Sequence, residues 1–310
     1  MSESPFTSAQ AVRLLDQNIT KFYWDRYKGL PLIIDQLYDR MKSKKAWEEF
    51  QAVGSIGDPM PFNGVIQMQN FNMGYHTKVV PQEYAGGFIL ERLLMDTDQS
   101  GIVKKLPKML ATAANRKMNK IAHEPFIYPD SAAFTFQTSE EGVALASNSH
   151  TTKAADISTA SGFDNLATYA FDQTNLEALR IQTLGFRDDI GERMTTNFDT
   201  IIHGSSLSSD VWEVLNSQAK QGSDNSGIAN FQKGRWKSIE LPMLDDYSTT
   251  GWGIVDSSAM KDALIWVDAA PLEFNTPPLD YDHMMRKYQD YFRVAWGFTD
   301  WRWICWSDPA

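Results

Sequence analysis

The chain has 310 residues, 43% apolar and 22% charged, a globular composition long enough for two domains or one large body with extensions. Its 29 basic and 39 acidic residues leave a net charge of −10, which argues against a protein whose main task is gripping nucleic acid. A single cysteine, Cys305, excludes an internal disulfide and a multi-thiolate metal site, and no apolar run reaches the roughly 18 residues of a membrane span. The first ten residues are polar, so no leader is expected, and the chain reads as a soluble, intracellularly made protein.

Residues 1–45 read as a largely helical arm. Ala11, Val12, Leu14, Leu15 and Ile19 recur at helical spacing, as do Leu32, Ile33, Leu37 and Met41, with the aromatic cluster Phe22, Tyr23, Trp24 and Tyr27 between the two runs. From Trp47 to Val80 the helical period stops. Two extended stretches flank Gly57, Asp58, Pro59, Met60, Pro61, Phe62, Asn63 and Gly64, whose prolines, glycines and Asn-Gly step are turn chemistry. Phe71, Met73, Tyr75 and Val79 alternate with polar residues, while Ile66 and Met68 have the opposite parity, so a bulge is expected near Gln69. Such a long two-stranded hairpin is marginal alone and needs another surface to lie against.

Residues 96–122 read as a long helix of about 40 Å at about 1.5 Å per residue. Ile102, Val103, Leu106, Met109, Leu110, Ala113, Met118 and Ile121 mark one face, and Pro107 is expected to kink or break it. Lys104, Lys105, Lys108, Arg116, Lys117 and Lys120 mark a basic face, with no acidic residue from 101 to 123, read as a solvated helix face. Residues 146–168, rich in Ser, Thr, Ala and Asn, read as a surface loop. Thr174-Asn175-Leu176-Glu177 fits a capping box opening a helix to about Gly185. A strand at 198–203, a helix at 206–217, a turn at 222–227 and strands at 239–244, 251–255 and 263–267 follow. Residues 288–306 close the chain, mostly extended. Four of the ten tryptophans (Trp296, Trp301, Trp303 and Trp306) fall in the last fifteen residues, so this end is expected to be buried. Helices and strands do not alternate regularly, so the class is α+β.

Chemistry-bearing patterns are scarce. Residues 96–101, Asp-Thr-Asp-Gln-Ser-Gly, match the first half of a calcium-binding loop. The twelfth position, where a bidentate Glu belongs, is Pro107, so the string reads as an acidic helix start. His76, His123, His150, His203 and His283 are scattered, and no zinc motif, phosphate loop or dinucleotide fingerprint is present. A hydrolase using His150 or His203 with a nearby serine is the weakest reading, because neither stretch contains the Gly-x-Ser-x-Gly elbow. No catalytic residue, metal ligand or cofactor is assigned.

From about Phe50 to Pro309 the chain resembles the major capsid proteins of tailed bacteriophages, with their Hong Kong ninety-seven-like fold. The resemblance lies in the order of elements, in the Gly-x-x-Leu-x-x-x-x-His segment at Gly142, Leu145 and His150, and in Asp300-Trp301-Arg302. It implies an N-terminal arm at 1–46 and an extended hairpin loop at 47–80 lying over a neighbouring subunit. A peripheral domain with a spine helix would occupy 81–130 and an axial domain 131–285, with a closing strand at 286–310 returning to the central sheets. Residues 57–64 would form inter-subunit contacts, joined by the arm residues Phe22, Tyr23, Trp24 and Tyr27. The implied function is an icosahedral head shell of hexamers and pentamers around double-stranded DNA, with a portal protein, scaffolding and cement proteins as partners, and no membrane. The virion is its place, with assembly in the host cytoplasm. A 310-residue chain that keeps its first methionine implies a separate scaffolding protein or none. Some members weld subunits through a Lys–Asn bond; Lys78 lies in the right region, but no pattern identifies a partner. An encapsulin-like shell around enzymes is the alternative of the same fold.

Overall fold

The computed structural model describes residues 8–66, 68, 69, 71–97, 101–220, 228–276 and 284–309. The expected turn at 222–227 and His283 lie outside them, as does part of the calcium-like string.

Helix α1 (Ser8–Lys28) and a single turn α2 (Ile34–Leu37) lead into strand β1 (Asp39–Lys42). The second helical run expected over 32–41 is thus corrected: β1 pairs in parallel with β10 (Leu264–Asn275), a distant partner that overrides the local spacing. The aromatic cluster lies inside α1, not between two helices. β2 (Glu48–Val53) and β3 (Met73–Val79) form the expected antiparallel hairpin, but the ladder is short and residues 54–72 contain no strand among the described residues. The irregularity falls between Gln51 and Val53, not near Gln69.

β4 (Gln82–Glu91) runs into α3 (Arg92–Thr97) and then α4 (Ile102–Ile127). The long helix therefore starts later and ends later than expected, and it runs through both Pro107 and Pro125 without a break. Pro107 lies within the first two turns, where a proline removes a single backbone bond. Packing of α1 and β4 against α4 holds the rest in register.

After β5 (Gln137–Ser139) and β6 (Leu166–Ala167), helix α5 (Gln173–Thr183) is capped by Asp172, whose carboxylate accepts from the Asn175 amide at 2.7 Å. The capping box expected at Thr174 is corrected by two residues. β7 (Thr200–His203), α6 (Ser208–Asn216), β8 (Lys237–Glu240), β9 (Trp252–Val255), α7 (Ser257–Ala263), β10, β11 (Met285–Phe298) and β12 (Ile304–Ser307) complete the α+β chain.

Three sheets result, ordered β1-β10-β11-β4, β6-β12-β9-β7-β8 and β2-β3-β5. One continuous apolar core joins the first two through the C-terminal half of α4, where Phe126 meets Trp303 edge to face at 6.0 Å. All four closing tryptophans are buried, as expected. The three-stranded sheet crosses close over the end of β11 because position 297 is glycine. A side chain there would strike Gln137 and Val79, and the Gln137 side-chain oxygen Oε1 accepts from the Phe298 amide at 2.7 Å. The stretch called a surface loop, 146–168, carries exposed residues but also the fully buried Phe163 and Asn165.

Candidate inter-subunit surfaces

Among the described residues, the hairpin carries a dense run of exposed apolar side chains. Its base is rooted: Val79 and Phe50 pack with Ile265, Val267 and Ala295 of the four-stranded sheet. Beyond the ladder, the Ser55 amide donates to the Asp189 carboxylate at 2.7 Å, and the Thr152 hydroxyl donates to the Asp189 carbonyl. On the other strand, Glu140 accepts from the His76 amide at 3.0 Å, faces the His76 imidazole at 2.7 Å and pairs with Lys153. The bond from Lys153, then the His76 amide, lower the Glu140 carboxyl to about 2.

Past this root, Ile56, Met60, Phe62, Val65, Ile66 and Met68 stand in solvent, Phe62 76% and Met68 88% exposed. They line a shallow depression of about 450 Å³ together with Gly57, Pro59 and Pro61. An apolar lobe of this kind, held away from the body, marks a surface that something covers. Of the residues expected at the tip, Met60 and Phe62 carry apolar area, Pro59 and Pro61 stiffen the path, and Asp58 supplies a carbonyl to Gln69 at 2.8 Å. Ile56, Val65, Ile66 and Met68, outside the expected 57–64, contribute as much; their apolar type among turn residues was the available signal.

The arm's aromatic cluster is largely turned inward. Tyr23 has no exposed surface: its ring stacks on Phe274 at 4.3 Å and its hydroxyl donates to Asp290 at 3.1 Å. Expected as an inter-subunit contact, Tyr23 is instead an anchor of its own subunit. Phe22, Trp24 and Tyr27 are half-buried, so only their outer edges face away.

The two strings that carry the family resemblance touch each other. Gly142 takes a left-handed φ of +68°, Leu145 is fully buried, and His150 stacks flat on Trp301 at 4.2 Å with Glu141 at 3.1 Å from its Nδ1. Arg302 lies over the Trp301 ring at 4.9 Å and donates from Nε to the Arg187 carbonyl. The segment is thus a packing device. Among the described residues neither His150 nor His203, both buried, bonds a serine hydroxyl; His203 meets the Gly204 carbonyl instead. That geometry lacks the nucleophile–base contact of a serine hydrolase. Cys305 is fully buried, and burial pushes its thiol well above the ordinary range.

A rooted hairpin, a long helix bracing one sheet and a second sheet closed by the chain's end define a subunit of the shell-building class. The phage capsid protein family matches residues 75–307. The chain belongs to that family, and its fold is the Hong Kong ninety-seven-like fold of phage capsids. Among solved structures, the capsid of Ralstonia phage GP4 is similar with a TM-score of 0.52 at 10% identity, over 88% of this chain and 87% of that one. The procapsid of bacteriophage JBD30 is similar at 0.51 and 13% identity, over 98% of this chain and 76% of that one. The capsid of the native GTA particle is similar at 0.51 and 11% identity, over 89% of each chain. At these identities the likeness is one of fold. No curated protein matches the chain by sequence.

Proposed function

We propose that this subunit tiles into hexamers and pentamers of a closed icosahedral head around double-stranded DNA, each hairpin lobe lying over a neighbouring subunit. The observation that carries this reading is the apolar lobe at 54–72, rooted by Asp189, Glu140 and Lys153 yet uncovered by its own chain. In this reading the four-stranded sheet with α4 is the peripheral domain, the five-stranded sheet is most of the axial domain, and residues 1–46 are the arm. In this reading β1 belongs with the peripheral sheet, and the closing stretch contributes β11 to the four-stranded sheet and β12 to the five-stranded one. Trp212, 67% exposed on α6, extends the contact surface to the axial body. A portal protein, scaffolding and cement proteins complete the set of partners, and assembly takes place in the host cytoplasm. The net charge of −10 suits a container that holds DNA without gripping it. The family match favours a phage head over an enzyme-filled compartment.

Deleting residues 57–64 tests the reading. The deleted chain is expected to fold with an unchanged circular dichroism spectrum and to give only small species by light scattering, while the full chain gives large particles in electron micrographs. Normal shells from the deleted chain would overturn it.

A further inference from the structure

A second uncovered surface lies along α4, away from the hairpin. Between α4, the C-terminal half of α1 and β4 runs an open groove of about 930 Å³. Its floor is apolar, made by Leu106, Met109, Leu110 and Phe88, with Met109 65% exposed. Its rim is basic, made by Lys105, Lys108 and Arg116 from α4 and Arg26 from α1, against one carboxylate, Asp25. The Arg26 Nε is tethered to the Thr112 hydroxyl at 3.3 Å, which aims the guanidinium along the rim. Lys108 rests over the Phe22 ring at 5.6 Å. None of Lys105, Lys108 and Arg116 forms an ion pair among the described residues, although the chain as a whole is strongly acidic.

We propose that this groove docks an acidic amphipathic helix of another protein, its apolar face on Met109, Leu106 and Leu110 and its carboxylates on Lys105, Lys108, Arg116 and Arg26. Lys105, Met109 and Arg116 lie along one stripe of α4. At about 1.5 Å per residue, the eleven steps between 105 and 116 make the stripe about 16 Å long, three turns of a docked helix. Flexible methionine at the centre of a floor suits helix-in-groove recognition. The charge complementarity is local: a cluster of unpaired cations standing out from an acidic subunit. A DNA duplex would use the cations but gain nothing from a concave apolar floor, whereas a helix gains from both. The inference is independent of the shell reading, because the groove belongs to a single chain.

The test uses the full chain and a fluorescein-labelled synthetic helix of about 12 residues, matched to the groove, with leucines on one face and glutamates flanking them. Anisotropy is expected to show saturable binding that weakens with salt. It is expected to fall at least about tenfold with the triple variant Lys105→Glu, Lys108→Glu, Arg116→Glu, and likewise with Met109→Glu. All four positions are exposed, and circular dichroism checks that each variant folds. A photo-crosslinker on the helix's apolar face is expected to label residues 102–127 of the unmodified chain, which keeps the proposal testable if a variant misfolds. Equal binding of a helix with lysine for every glutamate would overturn the proposal. So would labelling elsewhere, or duplex DNA that binds as tightly and is indifferent to Met109→Glu.

Discussion

Asn165 has no exposed surface and ties together two distant stretches of chain, 145–147 and 301–306. Its amide donates to the Leu145 carbonyl at 2.8 Å and the Ile304 carbonyl at 3.2 Å, and its side-chain oxygen accepts from the Ser147 amide at 2.7 Å. Removing it strands buried backbone groups, each costing about 1–3 kcal/mol, so Asn165→Ala is expected to lower stability by about 3 kcal/mol in a urea titration. Tyr23 and Asp290 make a second buried pair. Burial raises the Asp290 carboxyl above the ordinary carboxylate range, while the Tyr23 hydroxyl and the Gly86 amide pull it back. A carboxyl raised in the folded state contributes stability that is fully present in acid and is lost as pH rises through its folded value. Tyr23→Phe removes a donor from the ionised form, so its cost, about 1–3 kcal/mol, is expected to be larger at pH 8 than at pH 4 in thermal melts. Neither residue was legible as structural. Asn165 sits in a Ser- and Thr-rich stretch whose polarity reads as loop, and its burial depends on Ile304, 139 positions away.

The hairpin clamp is the element-scale counterpart. Glu140 is exposed, and its lowered carboxyl means that the clamp stabilises the hairpin above the ordinary value of 4.5 and fades as pH falls toward about 2. Hydrogen exchange in β3, corrected for intrinsic rates, is expected to quicken between pH 5 and pH 3, and Glu140→Gln should abolish that dependence. Elements were readable where burial is one-sided or the run is long. The extended stretch expected over 288–306 holds as β11 and β12, and the long apolar-faced helix holds as α4, apart from their ends. The same rules failed at 32–41, where apolar residues happen to fall at helical spacing but the backbone is claimed by β10. The hairpin was legible from its turn chemistry. Its irregular lobe was not, because prolines and glycines announce a turn without stating its length.

For the whole molecule, a lattice of such subunits gathers strength from many weak contacts acting together. Replacing both Phe62 and Met68 by aspartate removes two of the most exposed apolar side chains of the lobe without touching its roots. The doubly substituted chain is expected to keep its melting temperature within a degree or two while shifting from particles to subunits in analytical ultracentrifugation. An unchanged sedimentation profile would remove the lobe from the assembly contacts. The fold class and the subunit's role were visible in the sequence through the order of its elements, and the family match over residues 75–307 agrees with that reading.

The order of strands within the two large sheets has a consequence for biosynthesis. β11 lies between β10 and β4, and β12 lies between β9 and β6, so residues 285–307 fill interior positions in both sheets, after every strand they pair with in sequence. A nascent chain paused before residue 285 holds two sheets with a gap in each, and neither can close around the core. Native pairing in both large sheets therefore waits on residues 285–307. A chain truncated before residue 285 lacks both strands, so it offers the growing particle no finished edge of either sheet.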